Sequence, residues 1–427
     1  MAIFSLYNRI LTDKLLKETT WSFLTKGVSF ILFFGLNIYL ARILGPETFG
    51  YWSFFFSVIT VFLFLSYFGI NASSQKYAAQ YNKTNELKVV LSSSFRLRMM
   101  MSFIFSLLLL LLHQPLANLL GRPDLGYLFL YAAPLVFFAG FVEYLKNVFE
   151  GLHRIKYNFF INILEYGLKL CFVVIFFHFS VSLILVVNAF ALALLISSIV
   201  GFYLLYTRFY RNLNRYIQKV DYKDFTVNIF KYSLPLLVLT IGFLITTEID
   251  TIMIGLLSTD IEVGIYSVAK QIIIKIPHIS LALAMGTMPI FAKLNDSNLK
   301  ELRNLFYKLL KINLYILLPL VLFILVFSKF LINLFYGVEY SAAVLPLQIL
   351  TIYMLCSSIS ISLNQFLNYR GVATKRAINM AIMIILNIIL NLLLIPQYGA
   401  LGAAIGTSIA FIPYLVLNWF EIRKILH

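Results

Sequence analysis

The chain has 427 residues, of which 61% are hydrophobic and only 12% charged. A soluble domain carries about 25% charged residues, so a single aqueous globule is excluded. Lys and Arg number 34 against 18 Asp and Glu, a formal charge of +16; on a soluble fold such an excess would suggest nucleic acid, so the placement of the cations decides what they mean.

In chain order, residues 1–20 come first. Ile3, Phe4, Leu6, Tyr7, Ile10, Leu11 and Leu15 recur at near-helical spacing with Arg9, Lys14 and Lys17 between them, the pattern of an interfacial amphipathic helix rather than a cleavable signal. A span needs about 20 mostly apolar residues to cross the hydrocarbon. Such runs fall at 21–41, 51–72, 99–119, 127–149, 157–179, 181–206, 230–257, 264–291, 306–328, 342–369, 377–396 and 400–422. The expectation is an all-α polytopic membrane protein of about 12 transmembrane helices, with both termini on one side.

Charge supplies the orientation. All but seven of the 34 Lys and Arg, with Arg98 and Lys146 among them, fall in segments sharing a side with the N-terminus. Arg42, Arg122 and Lys329 fall opposite. The positive-inside bias makes both termini cytoplasmic in a cell (inner) membrane, where the cations face anionic lipid headgroups; no nucleic-acid partner is then needed. A basic connection at 207–229 separates a six-helix set at 21–206 from a second at 230–427.

The two halves repeat weakly. Glu47 to Ser53 after the first span matches Glu262 to Ser267 after the seventh, and Gly151 with Lys156 after the fourth matches Gly371 with Arg376 after the tenth. Repeats of six helices keep their orientation, so the axis relating them runs along the membrane normal, as in transporters.

Catalytic and cofactor signatures are missing from the sequence. There is no G-x-x-x-x-G-K-[ST] loop and no H-E-x-x-H. Cys171 and Cys356 lie far apart inside apolar runs and suggest no disulfide framework or metal spacing. The chain reads as neither an enzyme nor a metalloprotein.

Four cations lie inside the spans: Lys26, Lys169, Lys270 and Lys275, with Glu143, Glu165, Glu248 and Asp250 as acidic counterparts. A charge at a helix centre costs about 2.5–3.5 kcal/mol on insertion scales, so these groups should face a wet cavity or a partner. Glu165 and Lys169 have the i,i+4 spacing of a same-helix ion pair. Lys26 has no acid one turn away and can either snorkel or face a lumen. Lys270 and Lys275 lie roughly 140° apart around a helix, and Glu248 and Asp250 about 200° apart, so neither pair points one way. Pro277 should bend the eighth helix. Tyr39, Tyr51, Trp52, Tyr144, Tyr266 and Tyr369 could offer flat faces to sugar rings, although interfacial anchoring accounts for most aromatics.

Three stretches resemble a known family. Arg42-Ile-Leu-Gly-Pro-Glu47 followed by Phe49-Gly50-Tyr51, Asp250-Thr-Ile-Met-Ile-Gly255 followed by Val263-Gly-Ile-Tyr-Ser-Val-Ala269, and Pro396-Gln-Tyr-Gly-Ala-Leu-Gly-Ala-Ala404 are similar to elements of the Wzx-type polysaccharide (O-antigen) flippases. These belong to the multidrug/oligosaccharidyl-lipid/polysaccharide exporter superfamily. The resemblance implies two six-helix bundles forming a V-shaped central cavity, no cofactor, and coupling to a proton or sodium gradient. It also implies a cargo of oligosaccharide on a polyprenyl (di)phosphate, and a polymerase or glycosyltransferase acting in the same pathway. On that reading Lys26, Lys169, Lys270 and Lys275 are candidate substrate contacts and Asp250, Glu248 and Glu165 candidate ion-coupling groups, while Gly45, Pro46 and Gly50 shape a turn. The alternatives are a cation-coupled multidrug exporter of the same superfamily and a membrane-embedded polysaccharide polymerase; the latter would need a large outer loop that the sequence lacks.

Overall fold

The computed structural model describes residues 2–213, 222–284 and 299–426. Arg215, Lys219, Pro289 and Lys293 lie outside the described residues, as do the side chains of 1–17 and of Tyr369. Eleven long helices account for most of the rest: α1 Ala2–Tyr67, α2 Ile70–Tyr81, α3 Leu87–Leu119, α4 Gly126–Gly151, α5 Ile155–Phe179, α6 Leu183–Arg208, α7 Tyr222–Leu257, α8 Asp260–Ile273, α9 Leu299–Phe335, α10 Val344–Tyr369 and α11 Ala373–Leu426. Among the described residues ten helical stretches are long and apolar enough to cross a membrane.

Two of those ten are divided. In α1, Gly45 sits at φ 71°, ψ 171°, and in α11, Gly399 sits at φ 54°, ψ −128°. Both are conformations that L side chains avoid, and each glycine is the tip of a helical hairpin. Asn379 bonds Asn418, Asn387 bonds Thr407, and Gly402 closes on the Leu394 carbonyl; these pairs step symmetrically away from Gly399, as antiparallel helices require. On either side of Gly45, Tyr340 touches both Ala41 and Phe49.

Breaks elsewhere have local causes. The run expected at 51–72 stops at Tyr67, because Phe68 and Gly69 both adopt positive φ, 46° and 69°. Between α5 and α6, Ser180 and Ser182 are extended. The segment 1–20, expected as an interfacial helix leading into the first span, is continuous with that span in α1. Pro277 does interrupt its helix: a turn occupies 274–276 and helix resumes at 277–284, as a missing N–H and a ring clash demand.

The chain forms two compact units. Unit 1 holds Met1–Asn37 and Phe55–Leu244, and unit 2 holds Ile38–Phe54 and Ile245–His427. Relative to a cut at 207–229, the tip of the first hairpin thus groups with the later helices and the first part of α7 with the earlier ones. The reason is visible in each unit. In unit 1, α7 packs on the break after Tyr67: Phe230 stacks on Phe68 at 5.6 Å and Ser233 Oγ lies 2.7 Å from Ser73 Oγ. In unit 2, the three family-like motifs meet at one end. Gly50 sits against the Asp260 carbonyl and Gly264 against that of Pro46. Arg42 donates to the carbonyls of Leu334 (2.5 Å) and Phe335 (2.8 Å), neutralising the C-terminus of α9. Glu262 accepts the Ala400 N–H at 2.6 Å. Gly45, Pro46 and Gly50 therefore shape a turn and its docking, as their sequence suggests.

Candidate functional site

Unit 2 encloses one carboxylate in a neutral shell. Asp250, on α7, is 5% exposed. It accepts hydrogen bonds from Tyr266 on α8 (2.6 Å) and from Asn391 (2.7 Å), Thr407 (2.8 Å) and Asn387 (3.2 Å) on the two arms of α11. Asn387 also donates to Thr407 at 3.1 Å and Asn391 to Asn387 Oδ1 at 3.4 Å. Asn391 Oδ1 is buried with no hydrogen-bond partner among the described residues. Among the described residues no cationic side chain bonds the carboxylate, and no group of three or more His, Cys, Asp or Glu gathers. What does gather is oxygen: a carboxylate, two amide carbonyls, a hydroxyl and a phenol, the ligand type of hard cations.

Two candidate residues flank this shell. Lys270, one turn after Tyr266, donates to the Thr247 carbonyl and to Thr251 Oγ1 (3.2 Å), and its ammonium lies 4.0 Å from Glu248. Lys275 falls within the 274–276 turn and is exposed. The structure thus brings Asp250, Glu248 and Lys270 into one neighbourhood and leaves Lys275 outside it. Asp250 turns inward and Glu248 is partly exposed, the divergence that their spacing on a helix requires.

Unit 1 encloses charges of both signs. Glu165 is 5% exposed, and its two oxygens receive Lys169 at 2.5 Å and Lys146 at 2.6 Å; Lys146 also reaches Glu143 at 2.8 Å. Both ammonium groups lie over the Tyr166 ring, at 5.1 and 5.6 Å. The i,i+4 pair is present as its spacing indicates, but Glu165 is shared with a lysine from α4. Lys26, on α1, is exposed and lies within electrostatic reach of Glu150.

Several assignments change. Lys146 and Arg98 read as cytoplasmic loop cations, yet both lie inside helices, at 6% and 0% exposure. Arg98 donates to the Ser66 carbonyl (2.6 Å) and Ser66 Oγ (3.0 Å) at the last turn before the Phe68–Gly69 break, and it lies 5.1 Å from the Tyr67 ring. Tyr144 and Tyr266 are not available to sugar rings: both are buried, Tyr144 donating to the Leu91 carbonyl and Tyr266 to Asp250. Asn387, Asn391 and Thr407 were missed. Their signal was three polar side chains inside otherwise apolar runs, two of them one turn apart.

Comparison with known proteins now has a geometry to meet. A model of the polysaccharide biosynthesis protein family matches residues 15–295. The chain belongs to that family. A MatE model matches residues 235–393. A probable low-salt glycan biosynthesis flippase, Agl15, of Haloferax volcanii is 27% identical over 206 residues, covering 47% of this chain and 43% of that relative. An uncharacterized membrane protein of Methanocaldococcus jannaschii is 24% identical over 94% of this chain and 95% of its own length. Among solved structures, the lipid II flippase MurJ in an inward closed conformation aligns with TM-score 0.75 at 17% identity, over 96% of this chain and 89% of that one. An inward-facing multidrug resistance transporter of the MATE family aligns with TM-score 0.71 at 16% identity, over 93% and 95%. The fold is that of MurJ and MATE, and this member of the polysaccharide biosynthesis family is a multi-pass membrane protein.

Proposed function

We propose that this chain moves an oligosaccharide linked to a polyprenyl (di)phosphate from the cytoplasmic to the outer leaflet by alternating access, in two six-helix sets totalling twelve spans. Both termini are cytoplasmic in this reading, and the ion gradient does the driving. Family membership supports the transport class. The observation that carries the cargo is the retention of lysines within the helices: Lys169 and Lys270 each end in a polar shell instead of reaching an interface. An anionic phosphate linker needs such cations in hydrocarbon, whereas the prenyl tail can stay in lipid. Lys26, Lys169, Lys270 and Lys275 are the proposed phosphate or sugar-acid contacts. Asp250 is the proposed ion-coupling group, supported by its oxygen shell and by the unpartnered Asn391 Oδ1; Glu248 tunes Lys270, and Glu165 holds Lys146 and Lys169 in position.

The test is deletion of the gene followed by extraction of lipid-linked glycan. Full-length lipid-linked glycan accumulating on the cytoplasmic side supports flipping, and single repeat units accumulating outside would replace this reading with a defect in polymerisation. Lys26→Ala and Lys270→Ala should abolish surface glycan at unchanged protein level; wild-type glycan in both would remove the cationic contacts. The MatE match favours a second reading, a cation-coupled drug exporter. It predicts that deletion raises sensitivity to cationic drugs and leaves surface glycan intact.

A further inference from the structure

The arm of α11 before Gly399 carries a polar side chain at almost every fourth position of one buried face: Asn379, Asn387 and Asn391, with Met383 as the apolar exception. Around Asn379 the polar groups form a second cluster. Asn379 donates to Asn418 Oδ1 (2.9 Å), and Asn364 Oδ1 accepts from both Asn418 (3.3 Å) and the Tyr414 hydroxyl (2.9 Å). One turn further along is the surface end of unit 2, where Glu421 pairs with Lys375 at 3.0 Å and Lys424 at 2.8 Å. The second cluster lies about 12 Å along the helix from Asn387, eight residues at 1.5 Å each. Between the two lies an apolar layer centred on Met383, 3% exposed, packed with Ala410 and the Tyr414 ring and backed by Ile384 and Phe411.

Interhelical amide bonds hold membrane helices together, at about 0.6–2 kcal/mol each, and packing alone would account for one such cluster. What sets this cluster apart is its place, three amides and a phenol on one level, in line with the Asp250 shell and with the surface. The residue in the gap is also an unbranched, flexible thioether, the side chain best able to swing aside without repacking its neighbours. We propose that Asn364, Asn379 and Asn418 form a transit site through which the coupling cation passes between Asp250 and the Lys375–Glu421 end of unit 2, with Met383 as its gate. The proposal rests on the ion-coupling reading of Asp250. It adds a route for the ion through the interior of the second unit.

The test uses the full chain in proteoliposomes without glycan substrate, with sodium-22 as one probe and an entrapped pH dye as the other. Met383→Asn opens the gate in this scheme, so one of the two ions should leak at least about tenfold faster than through the parent, while Met383→Leu should leave the liposomes tight. Adding Asp250→Asn to Met383→Asn should abolish the leak. A folded Met383→Asn protein that stays tight, or a leak that survives Asp250→Asn, overturns the transit site. The underlying reading is judged separately, by whether sodium or acid raises the melting temperature of the parent and not of Asp250→Asn. If neither shifts the parent, coupling at Asp250 fails and the route fails with it; if the shift is there but the leak is not, only the route fails.

Discussion

The two units bury their acids in opposite ways. Unit 1 answers Glu165 with Lys146 and Lys169 and adds Glu143, so its charges balance internally. Unit 2 answers Asp250 with two amides, a hydroxyl and a phenol, which satisfy lone pairs without cancelling charge. In a medium of low dielectric an ion pair is costly to open. A ring of rotatable neutral dipoles can turn its oxygens toward an arriving cation at small cost. The difference separates a fixed electrostatic clamp from an exchangeable site, and substitutions in both units probe it.

The largest effect is expected in unit 1. Glu165→Ala leaves two buried ammonium groups with only Glu143 to share, and breaking a buried pair costs about 3–5 kcal/mol. The expected outcome is a large fall in melting temperature in detergent, partly restored by adding Lys146→Met. If Glu165→Ala melts like the parent, the clamp is not a clamp. Next comes Arg98→Lys. A lysine keeps the charge but cannot place two N–H groups on the Ser66 carbonyl and hydroxyl as the guanidinium does. A loss of about 1–3 kcal/mol is expected for the bond left unmade, read in the same melting assay. An unchanged melt would mean that the helix end before Phe68 does not need its cap.

Unit 2 should respond differently. Asp250→Asn removes the buried charge but turns one acceptor oxygen into a donor facing the groups that bonded it, so a loss of about 1–2 kcal/mol is expected for the bonds left unmade, below that of Glu165→Ala. What should vanish is ligand-linked stabilisation: a site occupied at 100 times its Kd adds about 2.7 kcal/mol, and the variant should gain none from sodium or acid. A collapse in stability as deep as that of Glu165→Ala would erase the contrast between the units.

How far the sequence revealed these sites follows from where each partner comes from. The Glu165–Lys169 pair was legible because both residues lie on one helix at a spacing that forces them together. Lys146 was not: it sits near the end of an apolar run, and only the packing of α4 on α5 turns it inward. Asp250 could be singled out as an intramembrane acid. Its shell could not, since it is assembled from α8 and both arms of α11. The three motifs were recognisable as a family signature, but their role in docking one end of unit 2 required the contacts of Gly50, Gly264 and Glu262. The multi-span helical class was clear from hydropathy, whereas the break at Phe68 was hidden because neither flanking residue is a proline.

The smallest effect concerns the repeat itself. The turn after α4 and the turn after α10 close in the same manner: His153 N–H bonds the Glu150 carbonyl and Arg154 N–H that of Phe149, while Gly371 and Val372 bond Asn368 and Leu367. The residue with positive φ is His153 at 53° in unit 1 and Gly371 at 74° in unit 2. The structurally equivalent positions are therefore His153 and Gly371, not Gly151 and Gly371 as the sequence pairing suggests. Gly151 instead serves close packing, against the Gln75 carbonyl. A side chain in the left-handed region costs about 1–2 kcal/mol, partly offset by the entropy glycine loses on folding, about 0.5–1 kcal/mol. His153→Gly should accordingly raise the stability of unit 1 by somewhat under about 1 kcal/mol, and Gly371→Ala should lower that of unit 2 by a similar amount. Opposite signs in the two melting curves would show that backbone strain decides the stability of both turns. A loss of stability in His153→Gly would mean that the imidazole contributes a contact outweighing its backbone strain, and the two turns would then be alike in geometry but not in energy.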